Sequence, residues 1–395
     1  MKVIVLGLLF CEKSLAAALK NSTCGIQYAP HKFQSNLISG LEQQPGVDLH
    51  VINLPPTGSF PIHSKELYSR QYDWAPQRMQ LSYWNLPFVK HVEQAHKLYA
   101  ACSSLLKDTD EPAYVVIYSP YPPFLQVCNR LKTRFPHVRC CLILTDPIPG
   151  RGDLARFMTP RAQKKGDAII AQTACMDSFV VLTEHLADSV EVGERPYTIV
   201  ECICNEHQEP AAPTEVGKQK TVLYAGTLEK EYGILDMAEA FTYLPDATFR
   251  IYGRGNAEDE LKVLSATHSN IEYCGFADQT VIRQEQDACS FLINPRRPTG
   301  TFTRYSFPSK TAEYMMSGKP VIMYKLEGVP DEYDPYLNYL TACEPSAIAQ
   351  ELAVLFARPY TSLLEKAEKG RQFMQTHKSA AAQAAKIVAL LNELP

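Results

Sequence analysis

The sequence lacks any apolar run of the roughly 18 residues that a membrane-spanning helix requires. Residues 1–11 are mostly apolar and carry one lysine, so they imitate a signal peptide only weakly. The alternation in residues 2–7 instead predicts a strand that opens an α/β domain. We therefore expect a cytoplasmic protein without a membrane span.

Signatures of metal sites and of several enzyme classes are also missing. The twelve cysteines are scattered, with no Cys-x-x-Cys pair and no Cys/His array at zinc spacing. There is no P-loop, no G-x-S-x-G and no H-E-x-x-H motif. Gly253 and Gly255 are not followed by the third glycine of a dinucleotide fingerprint. These absences argue against a zinc site and against a Rossmann dehydrogenase.

The composition is that of an ordinary globular protein, because 46% of the residues are hydrophobic and 21% are charged. A chain of 395 residues is too long for one ordinary core and suits two domains. The net charge of −4 gives no reason to expect a nucleic-acid partner.

Short apolar strands alternate with amphipathic helices, a pattern typical of parallel sheets covered on both faces. Strands are predicted in the first half at residues 2–7, 47–53, 114–118, 140–144, 168–170, 178–182 and 197–202. The segment 55–76, rich in proline and aromatics, is predicted to be a long mobile loop near a binding face. A polar, proline-rich stretch then separates the halves. The predicted division is a Rossmann-like domain at 1–205, a linker at 206–220, a second domain at 221–375 and a final helix at 376–395.

Three predicted strands of the second half end in residues suited to a ligand. Gly226 follows the strand at 221–225, Gly253 and Gly255 follow the strand at 248–252, and Asn294 to Arg297 follow the strand at 290–293. Glycine after a strand lets a ligand approach the backbone closely. Because the carboxyl ends of parallel strands meet at one edge of a sheet, we expect these endings to form one pocket.

The pattern of residues 304–324 predicts a loop, then a short helix that begins at Pro308 and ends at Gly318, and then a buried strand. A helix start with proline in its first turn has free N–H groups and a positive dipole end, which favour an anion. Ser309 and Lys310 add a hydroxyl and a cation there, and Glu313 lies one turn further in, where it can accept hydrogen bonds from a ribose. The combination fits a nucleotide-diphosphate site. The alternative is that Glu313 only complements the dipole and Ser309 caps the helix.

The second domain resembles the donor half of a family 4 glycosyltransferase with the GT-B fold, of the bacterial polysaccharide-biosynthesis type. The residues that carry the resemblance are 224–227, 232–234, 251–255, 273–276, 292–296 and above all 306–321, which continues as 327–336. The first half resembles the family only in layout and at 33–38 and 144–147. The resemblance implies an α/β fold with two Rossmann-like parallel-sheet domains facing a central cleft, and a C-terminal helix crossing back to the first domain.

The resemblance also yields candidate site residues. The catalytic candidates are Asp146, Lys310 and Glu313, with Lys310 on the phosphate and Glu313 on the ribose. The donor-binding candidates are Gly226, Thr227, Lys230, Gly253, Arg254, Phe276, Arg296, Tyr305, Ser306, Phe307, Pro308, Ser309, Lys310 and Glu313. The family works without an obligatory metal, so we expect no metal and no cofactor besides the nucleotide sugar, which is a co-substrate.

This chain departs from the family pattern around the expected phosphate site. Glu313 matches the second of a pair of glutamates in the family pattern. Tyr305 occupies the position of the first glutamate, so the polar contact which that glutamate makes to the sugar lacks its usual residue here. Thr227 and Tyr232 stand where the family has an arginine and a lysine. We expect Lys230 or Arg254 to supply the missing positive charge.

Many relatives carry a histidine after a middle strand of the first domain, pointing at the transferred sugar. This chain has Asp146 there, which can bind sugar hydroxyls or the acceptor, or can simply form a turn before Pro147. His31 and His185 are further candidates for the cleft, although most lone histidines are surface or core polar groups.

The resemblance implies retaining transfer of a sugar, by default from a UDP-linked donor, to a glycan or lipid-linked glycan in cell-surface polysaccharide synthesis. The protein is expected in the cytoplasm, with peripheral contact to the inner membrane face. One alternative is a GT-B sugar-nucleotide epimerase or hydrolase. Another is a non-catalytic partner protein that keeps the GT-B fold without turnover.

Overall fold

The computed structural model describes residues 1–23, 28–108, 111–150, 158–204 and 220–395. These residues divide into two compact units. Unit 1 comprises Met1–Ile203 together with Ser379–Pro395, and unit 2 comprises Cys204–Lys378. Apart from Lys220, the predicted linker at 206–220 lies outside the described residues.

The strands are β1 Lys2–Gly7, β2 Asp48–Asn53, β3 Tyr68–Ser69, β4 Tyr72–Ala75, β5 Arg78–Gln80, β6 Tyr83–Trp84, β7 Ala113–Tyr118, β8 Val138–Leu144, β9 Ser178–Val181, β10 Tyr197–Ile199, β11 Lys220–Ala225, β12 Ala247–Tyr252, β13 Ile271–Gly275, β14 Phe291–Asn294, β15 Val321–Tyr324 and β16 Asn338–Leu340. The helices are α1 Glu12–Asn21, α2 Tyr28–Glu42, α3 Val89–Leu106, α4 Pro122–Arg134, α5 Pro160–Thr173, α6 Glu184–Ser189, α7 Ile234–Ala240, α8 Glu258–Thr267, α9 Gln279–Ala288, α10 Ser309–Met316, α11 Pro345–Phe356, α12 Tyr360–His377 and α13 Ala380–Asn392.

Unit 1 is built on an eight-stranded sheet in the order β10-β9-β8-β7-β1-β2-β5-β4. Only the edge pair β4–β5 is antiparallel. Strand β1 is central, and its Val5 pairs with Val51 of β2 and Val116 of β7. All six residues of β7 are buried, as expected for a parallel strand that is covered on both faces.

Unit 2 is built on a six-stranded, fully parallel sheet in the order β13-β12-β11-β14-β15-β16. Strand β11 is internal, and its Val222 pairs with Phe249 of β12 and Phe291 of β14. The carboxyl ends of these three strands therefore share one edge of the sheet. Loops that follow β11, β12 and β14 all begin at this edge.

The last helix, α13, belongs to unit 1 and packs against α2. Gly40 makes the close approach possible, because a Cβ there would lie 2.1 Å from the carbonyl oxygen of Ala380. The Gln44 amide donates to the Ala381 carbonyl at 2.9 Å. On its buried side α13 places Ala384 and Ile387 in the apolar core of unit 1. The chain thus returns to its first unit at its end.

Two predictions for the first half need correction. Residues 168–170, predicted as a strand, lie in α5. Pro160 begins this helix and Thr159 caps it by accepting from the Ala162 N–H at 3.3 Å, which are strong helix-start signals. The apolar run was too short to distinguish strand from helix.

The segment 55–76 is not a loop throughout, because it contains β3 and β4. Strand β3 pairs with β6 and β4 pairs with β5, so both depend on partners that come later in the chain. Asn85 anchors the segment by donating to the carbonyls of Gly58 and Glu66 at 2.8 and 3.0 Å. Such contacts leave no local sequence signal.

Candidate functional site

Helix α10 begins at Ser309, and Pro308 precedes it at the N-cap position. Pro308 therefore stands one residue earlier than predicted, and its side chain has no acceptor for the N–H groups of the first turn. The Thr311 N–H reaches the Pro308 carbonyl at 2.9 Å. Ser309 is not the capping residue, so that part of the alternative is wrong, while the role of Glu313 stays a prediction. The helix start keeps the positive dipole end that was predicted to attract an anion.

Helix α10 is fixed to the carboxyl ends of two neighbouring strands. The buried hydroxyl of Tyr314 accepts from the Ala225 N–H at 3.0 Å, where β11 ends. The Asn294 amide, at the end of β14, lies 3.4 Å from the Thr311 hydroxyl. These contacts place the start of α10 beside the loops that follow both strands.

Lys310 and Glu313, predicted to bind phosphate and ribose separately, form an ion pair. The Lys310 ammonium lies 3.2 Å from Oε2 and 3.4 Å from Oε1 of Glu313. Gln286 of α9 also donates to Glu313 Oε1, at 2.8 Å. The i,i+3 spacing could have indicated the ion pair. Gln286 was missed because nothing in the local sequence connects it to α10.

Gly253 fits against a neighbouring loop of the protein itself. It has φ +143°, and a Cβ there would lie 1.8 Å from the Gly226 carbonyl oxygen. The Gly226 N–H donates to Tyr252 at 3.0 Å, and the Leu228 N–H donates to Arg254 at 2.9 Å. The glycine is thus required by loop packing, whereas its predicted contact with a ligand stays a prediction.

Thr227 lies in the loop after β11 and is held through its backbone. Its carbonyl accepts from the Tyr224 hydroxyl at 2.8 Å. Burial raises the pKa of Tyr224 well above its ordinary value, so this hydroxyl stays a proton donor at neutral pH. The contact fixes the turn that begins at Gly226.

The two cations expected to compensate for Thr227 and Tyr232 are engaged elsewhere. The Lys230 ammonium is paired with Glu260 of α8. Arg254 is exposed, and its guanidinium carbon lies 5.0 Å from the centre of the Phe276 ring, which is 67% exposed. Neither pairing could be inferred from the sequence, because each depends on how the loops meet.

Arg296 lies two residues after the end of β14, and its guanidinium packs against aromatic rings. Its guanidinium carbon lies 4.5 Å from the ring centre of Phe302 and 5.3 Å from that of Tyr232. Its backbone N–H donates to the Asn294 side chain at 3.2 Å. Burial lowers the pKa of Arg296. The aromatic walls were not predicted.

Tyr305, Ser306 and Phe307 form the segment that leads into α10. Tyr305 and Phe307 are buried, with 5% and 6% of their surfaces exposed. The Phe307 ring lies 5.2 Å from the ring of Tyr333, and the Ser306 hydroxyl donates to the Phe302 carbonyl at 3.2 Å. The two aromatic side chains therefore pack in the core of unit 2, and their predicted contact with a ligand stays a prediction.

Asp146 belongs to unit 1 and follows β8. It is exposed, and one carboxylate oxygen accepts from the Thr145 hydroxyl at 2.9 Å. Nearby, burial raises the pKa of Tyr118 to about 12.

The two histidine candidates also lie in unit 1. His31 accepts from the Phe10 N–H at 3.3 Å, and burial lowers its pKa. His185 lies on α6.

Within the part of the chain that the structure describes, no three His, Cys, Asp or Glu side chains lie together in a way that could hold a metal ion. In the same residues, none of the helices combines the length and the apolar character needed to cross a membrane.

Helix α10 and the loops that follow β11, β12 and β14 lie inside a region that matches a family model. Residues 219–358 match the model of "Glycosyl transferases group 1". No curated protein matches the chain. The domain match supports a glycosyltransferase.

Solved structures resemble the chain over its whole length at low identity. The sucrose-phosphate synthase of Thermosynechococcus elongatus is 14% identical, with 100% of this chain and 99% of that chain covered and a TM-score of 0.65. The lipopolysaccharide outer core galactosyltransferase WaaB is 13% identical, with 99% of both chains covered and a TM-score of 0.61. An E. coli structure described as trehalose-6-phosphate bound with UDP-2-fluoro glucose is 9% identical, with 100% of both chains covered and a TM-score of 0.64. The two parallel-sheet units and these neighbours establish the GT-B fold.

Proposed function

We propose that the protein is a retaining, metal-independent glycosyltransferase of family 4. It takes a sugar from a nucleotide-diphosphate donor, by default UDP-linked, and transfers it to a glycan or lipid-linked glycan in cell-surface polysaccharide synthesis. The observation that carries the proposal is the start of α10, which lies beside the ends of β11 and β14 inside the matched region. For a lipid-linked acceptor, the enzyme works in the cytoplasm at the inner face of the membrane.

The donor is proposed to bind with its diphosphate at the start of α10. The N–H groups of Ser309 and Lys310 face an anion at that end, and the Lys310 ammonium adds a positive charge. Glu313, held by Gln286 and Lys310, presents carboxylate oxygens to the ribose hydroxyls. A UDP-linked donor agrees with the UDP-2-fluoro glucose named for one structural neighbour.

The chemistry follows from charge development at the diphosphate. The bond between the sugar C1 and the phosphate oxygen breaks through an oxocarbenium-like state, and the leaving diphosphate gathers negative charge that fixed donors stabilise. The acceptor hydroxyl attacks C1 from the face that the leaving group departs, so the configuration is retained. The departing phosphate oxygen takes the hydroxyl proton. No protein base is needed in this scheme.

A donor panel combined with acceptor tests examines the proposal directly. UDP-glucose, UDP-galactose, UDP-N-acetylglucosamine and GDP-mannose are offered with and without glycan and lipid-linked glycan acceptors, and release of the nucleoside diphosphate is measured. Release that requires an acceptor supports a transferase. Release or epimerisation without an acceptor supports the epimerase or hydrolase alternative, and binding without any turnover supports the non-catalytic one. Calorimetry that detects no binding of any nucleotide sugar would refute the proposal.

A further inference from the structure

Arg296 differs from the cations around it, because no carboxylate among the described residues forms an ion pair with it. Its Nε is buried without a hydrogen-bond partner, and no described acidic side chain lies within ion-pair distance. The faces of Phe302 and Tyr232 stabilise the guanidinium only in part. The Arg296 side chain is partly buried, and a cation that is partly removed from water gains from an anionic partner. An anion that enters this site would therefore be stabilised by Arg296.

Other cations of the surrounding loops are matched by carboxylates. The pairs are Lys230 with Glu260, Arg297 with Asp236, Arg304 with Glu327 and Lys310 with Glu313. Arg254 is exposed to solvent, where water screens its charge. Arg296 is thus the enclosed cation best able to gain from binding an anion.

The position of Arg296 relates it to the proposed donor site. Tyr232 comes from the loop after β11, and Phe302 comes from the segment that precedes α10. Asn294 joins the two regions, because its side-chain oxygen accepts from the Arg296 N–H at 3.2 Å and its amide lies 3.4 Å from the Thr311 hydroxyl. Arg296 therefore lies among the segments that surround the start of α10.

We propose that Arg296, held between Tyr232 and Phe302, binds the diphosphate of the nucleotide sugar. This inference rests on the proposed function and deepens it by naming a second cation, besides Lys310, that neutralises the leaving group. The two rings hold the guanidinium in place and exclude water on its faces, which strengthens its attraction to an anion. Neither Lys230 nor Arg254 is then needed for this role.

Calorimetry with three probes tests the proposal: UDP, uridine and inorganic pyrophosphate. The variants are Arg296→Met, which keeps much of the side-chain length without the charge, and Arg296→Lys, which keeps the charge without the planar group. Arg304→Met is the matched control, because Arg304 lies near Phe302 but is paired with Glu327. We expect Arg296→Met to weaken UDP binding at least tenfold and uridine binding less than twofold. Arg296→Lys is expected to be intermediate, and the control is expected to stay within twofold of wild type.

The outcomes separate this inference from the proposed function. If UDP binds the Arg296→Met variant as it binds wild type, the inference is refuted while the function stands. Pyrophosphate binding that depends on Arg296, without any nucleotide binding, keeps the anion site and refutes the function. If none of the probes binds wild type, both are refuted. A lower melting temperature for Arg296→Met, with an unchanged preference for UDP over uridine, shows a packing role and also refutes the inference.

Discussion

The Gln286 side-chain amide donates to the Glu313 carboxylate at 2.8 Å, reaching from α9 to α10. The same carboxylate oxygen lies 3.4 Å from the Lys310 ammonium. Gln286 is 6% exposed, so its amide has few alternative positions. The arrangement orients the carboxylate before any ligand arrives, and preorganisation of this kind lowers the entropy lost on binding.

Removal of either charged residue of α10 is expected to weaken the donor complex. Charge-assisted hydrogen bonds contribute about 1.5–3 kcal/mol when buried, so Lys310→Ala and Glu313→Ala should each lower donor affinity or kcat/KM by at least about tenfold. Lys262→Ala is a matched control, because Lys262 forms a comparable i,i+3 pair with Asp259 on the exposed face of α8. Unchanged kinetics in both site variants would remove these residues from the site.

Gln286→Leu tests whether the oriented carboxylate serves the ribose. The variant keeps the approximate volume of the side chain and removes its hydrogen bond to Glu313. We expect the affinity for UDP to fall roughly threefold to tenfold, the cost of about one hydrogen bond, while binding of inorganic pyrophosphate stays constant. Calorimetry with both ligands gives the answer. An equal loss for both would show that Gln286 supports the diphosphate or the fold instead.

Activity is expected to persist when divalent metals are removed. The proposed scheme stabilises the leaving diphosphate with N–H groups and cationic side chains, so no metal takes part in it. Turnover is measured after dialysis against EDTA and again after addition of Mg²⁺. Complete loss of turnover that Mg²⁺ restores would contradict the metal-independent mechanism.

Gly40→Ala is expected to destabilise unit 1. The added Cβ would lie 2.1 Å from the Ala380 carbonyl oxygen, so α2 and α13 must separate, and overpacking of this kind costs about 1–3 kcal/mol. Ser39→Ala, one residue earlier on the exposed face of α2, is the control. Urea unfolding measures the difference. A free energy of unfolding equal to that of wild type would show that the helices are not held at this distance.

Lys90 should make stability depend on pH. Burial lowers its pKa to about 8, and its ammonium donates to the Thr57 carbonyl at 2.6 Å. Between this value and the pKa of about 10.4 in the unfolded chain, the unfolded state binds more protons, so the stability contributed by Lys90 rises with pH. Relative to Lys90→Met, wild type should therefore gain up to about 1 kcal/mol per unit between pH 8 and 9.5. Parallel curves for the two proteins over that interval would contradict the shift.

The first turn of α10 illustrates what sequence reasoning could achieve. Pro308, Ser309 and Gly318 are local signals, and they located the start of the helix to within one residue and its end to within two. The strand at 168–170 shows the limit, because a three-residue apolar run has no reliable period. These residues are helical in the structure because Thr159 caps the start of α5 and one face of the helix is buried.

The sequence by itself determined the alternation of strands and helices and the start of α10, because short-range signals specify these features, and its resemblance to a glycosyltransferase family implied the GT-B layout. Only the tertiary structure decided how the charges are matched. Lys230 forms an ion pair with Glu260, which lies thirty residues later in the sequence. Arg296 lies between two rings from separate loops. Such pairings depend on which strand ends lie side by side, a long-range property that no local pattern encodes.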